Sequence, residues 1–411
     1  MKYSPVFIPL LFVLACGEPK PPPAPKTGLH FVSVDLEAYP PFQDTGDPQT
    51  MFRAIDRQLQ WLDKQSPNMI WSFGEETVSH GRMKRSLIRF REIWETAGNS
   101  PEELNRQVGA SFKVYRVEWD GSPDILITGY HAPVTEGRLQ PDARFNIPLY
   151  RMPSDAVTIR PSFFDEKMLQ KGGTQSDRVI ARLDSGTRQV VPYFTREEID
   201  GDGCLSGQGL ELVYLSDYFD AFLFHVQGGG FVKLGDGRIM KLNYAGKNSH
   251  PYTSIGKALV KEGKISQEAI SIQAIKEYFN ANPSEVERVC FLNKSYVFYQ
   301  TDGQYWDRIH ADMFPTGVLG FPVSPKRSIA TDKRFFPGGA LAFIQGTQRK
   351  EEGDPLPFSQ FVIDQDTGGA IRRGHIDFFQ GAGPQAEADA GLLKDEHGRL
   401  FFLVLREAQG S

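Results

Sequence analysis

Between about residues 130 and 250 the sequence is a succession of short apolar runs broken by Gly, Pro and Asp, and strand-like runs return at 296–299, 340–344, 361–363 and 401–405. Punctuation this dense ends an element every few residues, which favours strands joined by turns. Lys113, Tyr115, Val117 and Trp119 alternate as on one face of a strand, and Ile125-Leu126-Ile127 marks another. Helical spacing is confined to a few places. Phe52, Ile55, Leu59 and Leu62 share one helix face, as do Met83, Leu87, Phe90 and Trp94. Ser100-Pro101-Glu102-Glu103 is a capping box with Pro at the first helical position, which predicts a third helix. Spacing of the same kind returns at 267–279, with Ser266 as its N-cap candidate, and Asn282-Pro283-Ser284-Glu285 opens a short helix. There is no internal repeat and no heptad run. Helices followed by scattered strands predict a mainly β protein, α+β overall, with barrel-like sheets. The 411 residues suffice for two or three domains, and 40% hydrophobic with 24% charged residues describe a globular body rather than a disordered chain.

The amino terminus reads differently. Lys2 precedes an apolar run of ten from Val6 to Ala15, interrupted by Pro9. Ten residues rise only ~15 Å as a helix, about half a bilayer core, so the run is a signal-peptide core rather than a spanning segment. It ends in Val13-Leu14-Ala15-Cys16-Gly17, which resembles the lipobox of bacterial lipoproteins. Residues 1–16 are therefore expected to be a signal with a lipidated Cys16, and 17–27, with Pro19, Pro21, Pro22, Pro23 and Pro25, a stiff extended tether. The lipid would hold the body to an outer membrane, facing the periplasm. A net charge of -5 argues against a nucleic-acid partner. Cys204 and Cys290 could pair or remain thiols, and two cysteines make no disulfide scaffold.

Several tempting motifs carry little. Asp200-Gly201-Asp202-Gly203-Cys204 begins like a calcium loop, but Leu205 stands where the sharp turn wants Gly. Gly228-Gly229-Gly230 follows an apolar run without the Lys and helix start of a phosphate loop. The eight His show no paired metal-ligand spacing, and no Gly-x-Ser-x-Gly elbow occurs. Neither a metal nor a cofactor is expected.

What remains is a carboxyl-terminal set of aspartates. Val362-Ile363-Asp364-Gln365-Asp366-Thr367-Gly368-Gly369 runs from an apolar strand into a turn, and a second strand places Asp377 between Ile376 and Phe378. An acid so flanked is partly desolvated, and desolvation raises its pKa toward what a general acid needs near neutral pH.

The segment resembles the signature of the membrane-bound lytic transglycosylase A family. Further blocks follow the family in order: Thr128-Gly129-Tyr130-His131-Ala132-Pro133, Pro148-Leu149-Tyr150-Arg151, Arg196-Glu197-Glu198-Ile199, Val226-Gln227-Gly228-Gly229-Gly230, Asn243-Tyr244-Ala245-Gly246-Lys247-Asn248, Pro251-Tyr252-Thr253-Ser254, Asn293-Lys294-Ser295-Tyr296 and Arg327-Ser328-Ile329-Ala330-Thr331-Asp332. Gly229 and His131 depart from it, standing where a Ser and an aromatic are common. The resemblance implies cleavage of the β-1,4 bond between N-acetylmuramic acid and N-acetylglucosamine in peptidoglycan glycan strands, leaving 1,6-anhydromuramic acid ends. It implies Asp377 as the catalytic acid, Asp366 and Asp332 as supporting acids, and a double-psi β-barrel made of residues 28–135 and 301–411, with a smaller β-domain inserted at 136–300. The glycan would lie between the two, with Tyr130, Gln227 and Asn248 as candidates for its wall. Two other readings stay open: a peptidoglycan-binding lipoprotein without activity, and a glycoside hydrolase on the same fold, which needs a second carboxylate about 5–10 Å from Asp377. Glu387 and Asp389 are the candidates for that role.

Overall fold

A computed structural model describes residues 28–44, 46–97, 100–160, 163, 178–350 and 353–407. The expected signal with Cys16 and the expected tether at 17–27 lie outside the described residues. The mainly β class expected from the sequence is what the chain adopts, as one closed barrel, a second nearly closed barrel and flanking helices.

The amino-terminal part supplies β1 (Leu29–Ser33), α1 (Pro48–Asp63), the hairpin β2 (Ile70–Phe73) and β3 (Glu76–Ser79), α2 (His80–Ala97), α3 (Pro101–Ser111), β4 (Phe112–Trp119) and β5 (Ile125–Ala132). The helices fall where the periodicity put them. Asp47 caps α1 through Gln49 N at 2.9 Å and Pro48 takes its first position, so α1 begins four residues before Phe52. Ser100 accepts from Glu103 N at 3.3 Å, closing the expected cap of α3.

The middle of the chain forms a separate body. Its sheet contains β6 (Val134–Arg138), β7 (Ile147–Tyr150), β11 (Glu211–Leu215), β12 (Gly230–Leu234), β13 (Ile239–Lys247), β14 (Val297–Gln300) and β15 (Tyr305–Trp306). The order β14-β13-β12-β6-β11-β7 comes back toward its start through a bridge between Arg151 and Tyr299, which nearly closes the barrel. Beside it lie a three-stranded sheet of β8 (Ala156–Ile159), β9 (Val179–Leu183) and β10 (Val190–Pro192) and four helices: α4 (Tyr218–Gln227), α5 (Ile255–Lys261), α6 (Ile272–Ala281) and α7 (Glu285–Phe291). Phe219, Phe222, Leu259, Ile275, Phe279 and Val289 bind these helices together. The helix expected from Ser266 starts at Ile272 instead. Ser271 accepts from Ala274 N at 3.0 Å, while Ser266 closes only a turn onto Ala269. Cys204 and Cys290 are free thiols.

The carboxyl-terminal part returns to the first body with β16 (Ser328–Ala330), β17 (Leu341–Gln348), β18 (Leu356–Asp366), β19 (His375–Ala382), α8 (Pro384–Leu392) and β20 (Lys394–Leu405). The closed barrel runs β20-β17-β18-β16-β19-β5 and back to β20. Its long strand β20 pairs with β5 through residues 394–398 and with β4 through 401–405, which extends the wall outward to β1. Met51, Ile55, Leu87, Phe90, Trp94, Phe343, Phe361 and Phe402 lie in one core, so α1 and α2 are packed on this barrel. A fully buried ion pair, Arg327 to Asp44 at 2.5 Å, fixes the segment before α1 to the start of β16.

Candidate active site

Four neighbouring strands, β18-β16-β19-β5, set the site by register. Ala330 on β16 pairs with Asp366 on β18 and with Asp377 on β19, and Asp377 pairs with Thr128 on β5. The row is thus Asp366, Ala330, Asp377, Thr128. Neighbouring strands lie ~4.8 Å apart, so the two aspartates start from backbone positions roughly 10 Å apart. The small, buried Ala330 between them leaves their carboxylates room to approach. Helix α8 packs so closely on β5 that a Cβ on Gly129 would lie 2.8 Å from the Ala390 backbone, which requires glycine between Thr128 and Tyr130.

Asp377 is half-buried. The carboxyl is pushed up to about 7, chiefly by desolvation, with the Asp366 charge adding to it and hydrogen bonds from Thr128 and the Phe378 backbone opposing it. The flanking apolar residues are not the cause the sequence suggested. Ile376 and Phe378 belong to the barrel core, and alternate residues of a strand face opposite sides. Asp377 shares its face with His375 and Phe379, and Phe379 packs with Tyr130, Phe314 and Val323. Thr128 Oγ1 donates to Asp377 Oδ1 at 2.8 Å and lies 2.7 Å from His375 Nε2. Burial pushes His375 down to about 4, so its ring is neutral near pH 7. The neutral ring has one hydrogen for two acceptors, the Ala370 carbonyl and Thr128 Oγ1, so His375 Nε2 carries it toward Thr128 only while Thr128 donates to Asp377 and the Ala370 bond is given up.

Asp366 is held by three donors: Val318 N at 3.1 Å and Thr367 N at 2.9 Å on Oδ1, and the Tyr130 hydroxyl at 2.9 Å on Oδ2. Burial nevertheless raises its carboxyl above the usual range. Asp332, fully buried beyond the end of β16, has the opposite balance. Burial pushes it up, but Arg334 at 2.6 Å and the backbone N–H groups of Arg373 and Arg334 outweigh this and hold it low. It ties the turn before β19 to the end of β16. Tyr130 therefore touches the acid row, and Gln227, at the end of α4, accepts from His131 N at 3.2 Å beside it.

Asn248 requires a correction. It is 1% exposed, and its amide donates to Phe194 O and Lys294 O at 2.8 Å each while accepting from Tyr296 N at 2.9 Å. An amide with its donors spent inside the second barrel has none left for a sugar. Gly229, where the family commonly has Ser, faces the Leu242 carbonyl so closely that a Cβ would lie 2.9 Å from it.

Sequence reasoning missed Thr128, His375 and the pair beneath the row, Lys333 and Asp364. Lys333 bonds Asp364 and, at 2.9 Å, the hydroxyl of Thr331, the residue that follows β16. Asp364 is fully buried and raised by desolvation despite Lys333. Among the described residues no cluster of His, Cys, Asp and Glu could hold a metal ion.

A barrel in two sequence pieces with a second barrel set between them is a distinctive architecture, and known proteins share it. Residues 126–300 match the MltA specific insert domain and residues 327–404 the 3D domain. The chain is 30% identical to membrane-bound lytic murein transglycosylase A of Vibrio cholerae, covering 81% of this chain and 79% of that one. It is equally 30% identical to the Escherichia coli K12 protein of the same name, over 77% of this chain and 75% of the other. A membrane-bound lytic murein transglycosylase structure from Agrobacterium tumefaciens superposes with a TM-score of 0.73 at 27% identity, covering 92% and 98% of the two chains. The Neisseria gonorrhoeae structure shares the fold, with a TM-score of 0.69 at 24% identity over 95% and 97%. The chain belongs to the membrane-bound lytic murein transglycosylase A family.

Proposed function

We propose that this protein is a peptidoglycan lytic transglycosylase with Asp377 as its acid, and that the unequal state of its carboxylates is the observation that carries the reading. Asp377 and Asp366 are both partly exposed and raised by burial, but Asp377, pushed up to about 7, has only Thr128 and the Phe378 backbone to favour its charge, whereas Asp366 is held by the Tyr130 hydroxyl and two backbone N–H groups. Protonated, it gives its proton to the glycosidic oxygen as the bond from muramic C1 to that oxygen breaks. Its carboxylate then takes the proton of the muramic C6 hydroxyl as that oxygen bonds to C1, closing the 1,6-anhydro ring. The proton balance is zero and no water enters. The nucleophile is already part of the substrate, so a second working carboxylate is unnecessary.

A hydrolase would need that second group, and the available acids are engaged. Glu387 pairs with Lys276 at 2.7 Å and Asp389 with Lys326 at 2.8 Å. Asp366 spends its oxygens on the Tyr130 hydroxyl and two backbone N–H groups. Asp366 supports Asp377 by adding negative charge nearby, which raises its proton affinity and stabilises an oxocarbenium ion. Asp332 positions the turn that leads into β19. Tyr130 and Gln227 lie where the first barrel meets the second, the expected wall of the glycan groove. A lipid on Cys16 would hold the body at the outer membrane, so Cys16→Ala should move it to the soluble periplasmic fraction. Mass spectrometry of muropeptides released from purified sacculi tests the reaction: anhydro-muramic ends are expected, and reducing ends would replace this reading with hydrolysis.

A further inference from the structure

The Thr128 hydroxyl stands between two side chains of β19. Its Oγ1 lies 2.8 Å from Asp377 Oδ1 and 2.7 Å from His375 Nε2. His375 and Asp377 are alternate residues of one strand and face the same side, and the register of β5 sets Thr128 directly across from Asp377. The turn from β18 closes on the ring from behind. Arg372 O accepts from His375 N at 3.2 Å, and the Ala370 carbonyl meets the imidazole as its second partner. The ring is half-buried and neutral near pH 7, so its two nitrogens offer one hydrogen and one lone pair.

The hydroxyl also has a single hydrogen, and this makes the chain of groups unequal in the two protonation states of the acid. With Asp377 protonated, its O–H donates to Thr128 Oγ1, Thr128 donates to His375 Nε2 and the ring N–H donates to Ala370 O, which is three hydrogen bonds running one way. With Asp377 ionised, Thr128 turns its hydrogen to the carboxylate. His375 Nε2 then either faces the Thr128 oxygen with a bare lone pair or takes the ring hydrogen away from Ala370, and two hydrogen bonds remain in either case. The bond from Thr128 to the carboxylate is the stronger kind, but one group of the chain is left without a partner. Without His375 the count would be the same in both states.

We propose that His375 is a positioning residue that acts through the Thr128 hydroxyl to keep Asp377 protonated in the resting enzyme. The proposal rests on the reading of Asp377 as the acid. His375 weakens, without reversing, the preference of the hydroxyl for the carboxylate. When a glycan arrives, the acid O–H turns to the glycosidic oxygen. As that proton leaves, Thr128 turns its hydrogen from His375 to the carboxylate, and the proton from the C6 hydroxyl restores the third bond. Of the charges on the elements around β19, Asp366 acts on Asp377, raising its proton affinity. The others are engaged elsewhere. Asp364 is bonded to Lys333, and Asp332 to Arg334 at 2.6 Å. Tyr130 on β5 donates to Asp366, and Lys394, across from Thr128 on β20, pairs with Glu396 at 3.1 Å. Glu387 and Asp389 on α8 pair with Lys276 and Lys326. On the turn, Arg372 donates to Gly368 O and Ile371 O, and Arg373 is exposed.

The test follows the Asp377 carboxyl by NMR in enzyme with isotope-labelled aspartate carboxyls, its resonance being the one missing from Asp377→Asn. His375→Asn keeps a donor for the Ala370 carbonyl and withdraws the acceptor from Thr128. His375→Phe keeps a ring and withdraws both nitrogens. In each, the Asp377 midpoint should fall by about half to one pH unit, part of what a hydrogen bond to a charged group is worth. The alkaline limb of kcat/KM, which reports the free enzyme, should move down with it. On a Thr128→Val background neither substitution should move the midpoint further, because no hydroxyl remains to carry the effect. Either variant that keeps the wild-type melting curve decides the matter. A midpoint that stays or rises overturns the proposal, even where the rate falls evenly across pH, since that is what a structural role would give. An equal fall with and without the Thr128 hydroxyl also overturns it, because the ring would then act on Asp377 directly. The titration of the resting enzyme does not depend on the products, so reducing muropeptide ends would end the transglycosylase reading without altering this result.

Discussion

Arg196 and Asn248 in the second barrel and Asp377 in the first are all polar groups withdrawn from bulk water, but their surroundings differ. Arg196 is 1% exposed; it donates to Asn293 O at 3.2 Å and Ser295 O at 2.8 Å, reaches Asp200 at 3.5 Å and lies over the rings of Phe222 and Tyr296. Asn248 ties the end of its own strand to two other segments, at Phe194 and at 294–296, through its amide. Asp377 has one side-chain donor, Thr128, and an acid beside it that makes its charge less welcome. A saturated polar group fixes a fold, because any rearrangement costs several hydrogen bonds at once. An under-saturated one keeps its proton within reach of neutral pH, which is what proton transfer uses. The second barrel holds its shape by the first kind, and the first barrel keeps one group of the second kind at its mouth.

The largest effect should come from the under-saturated group. Asp377→Asn is nearly isosteric and retains a hydrogen-bonding amide, but it can neither give nor retake a proton. Acid–base catalysis typically contributes ~10²–10⁴-fold, and here one group serves both half-reactions, so the loss of anhydro-muropeptide release should fall at the upper end. Asp366→Asn and Asp332→Asn should cost less. An Asp377→Asn enzyme that is folded and keeps most of its activity would remove the contrast between the barrels.

Arg196→Met probes the opposite pole. It strips two backbone carbonyls of their donor and leaves Asp200 buried with neutral partners such as the Tyr218 hydroxyl at 2.6 Å. Breaking a buried pair costs roughly 3–5 kcal/mol, so chemical denaturation should show a loss of that order. The pH dependence of whatever activity survives should keep its wild-type alkaline limb. A shifted limb with unchanged stability would mean that Arg196 serves the site rather than the fold.

Local signals made parts of this organisation legible. The spacing of Phe52, Ile55, Leu59 and Leu62 and the Ser100 cap announced helices because their causes lie within one or two turns of the chain. Asp377 and Asp366 stood out as acids embedded in apolar strands. The surroundings that set the proton affinity of Asp377 did not: its desolvation comes from the assembled barrel, and Thr128, which opposes it, is 249 residues away in sequence and meets it only through the parallel register of β5 and β19. Asn248 looked like a sugar ligand for the same reason: a buried amide and an exposed one have the same letter, and only the positions of the Phe194 and Lys294 carbonyls distinguish them. Ser266 is a good cap on paper, but the helix starts after Ser271, from which Ile275 and Phe279 reach the helical core.

The labile carboxyl should also cost stability, and the cost should depend on pH. Its folded-state value of about 7 lies above the ordinary 3.8. Below the ordinary value the group is protonated in both states and contributes nothing. Between the two the native state holds a proton that the unfolded chain releases, so stability falls as pH rises, and above about 7 the full penalty applies. Asp377→Asn removes that penalty. The variant should be more stable than wild type at pH 8, by an amount on the order of 2–4 kcal/mol, and equal to it near pH 4. The same difference at both pH values would mean that the carboxyl is not the strained group of the row.

The smallest expected effect isolates the one hydrogen bond that Asp377 receives from a side chain. Thr128→Val keeps the branched shape on β5 and removes the hydroxyl between Asp377 and His375. That hydroxyl stabilises the ionised form and so lowers the pKa of Asp377, against the larger effect of desolvation. Its loss should therefore move the alkaline limb of kcat upward, by about one pH unit or less, since a net hydrogen bond to a charged group is worth about 1.5–3 kcal/mol and both protonation states of the acid use it. The rate should fall as well, because the carboxyl loses the contact that orients it, while the KM for glycan strands changes little. Thr128→Ser, which restores the hydroxyl, should return the limb toward its original position. A limb that moves downward in Thr128→Val would show that Thr128 favours the protonated acid, with its hydroxyl turned toward His375 instead.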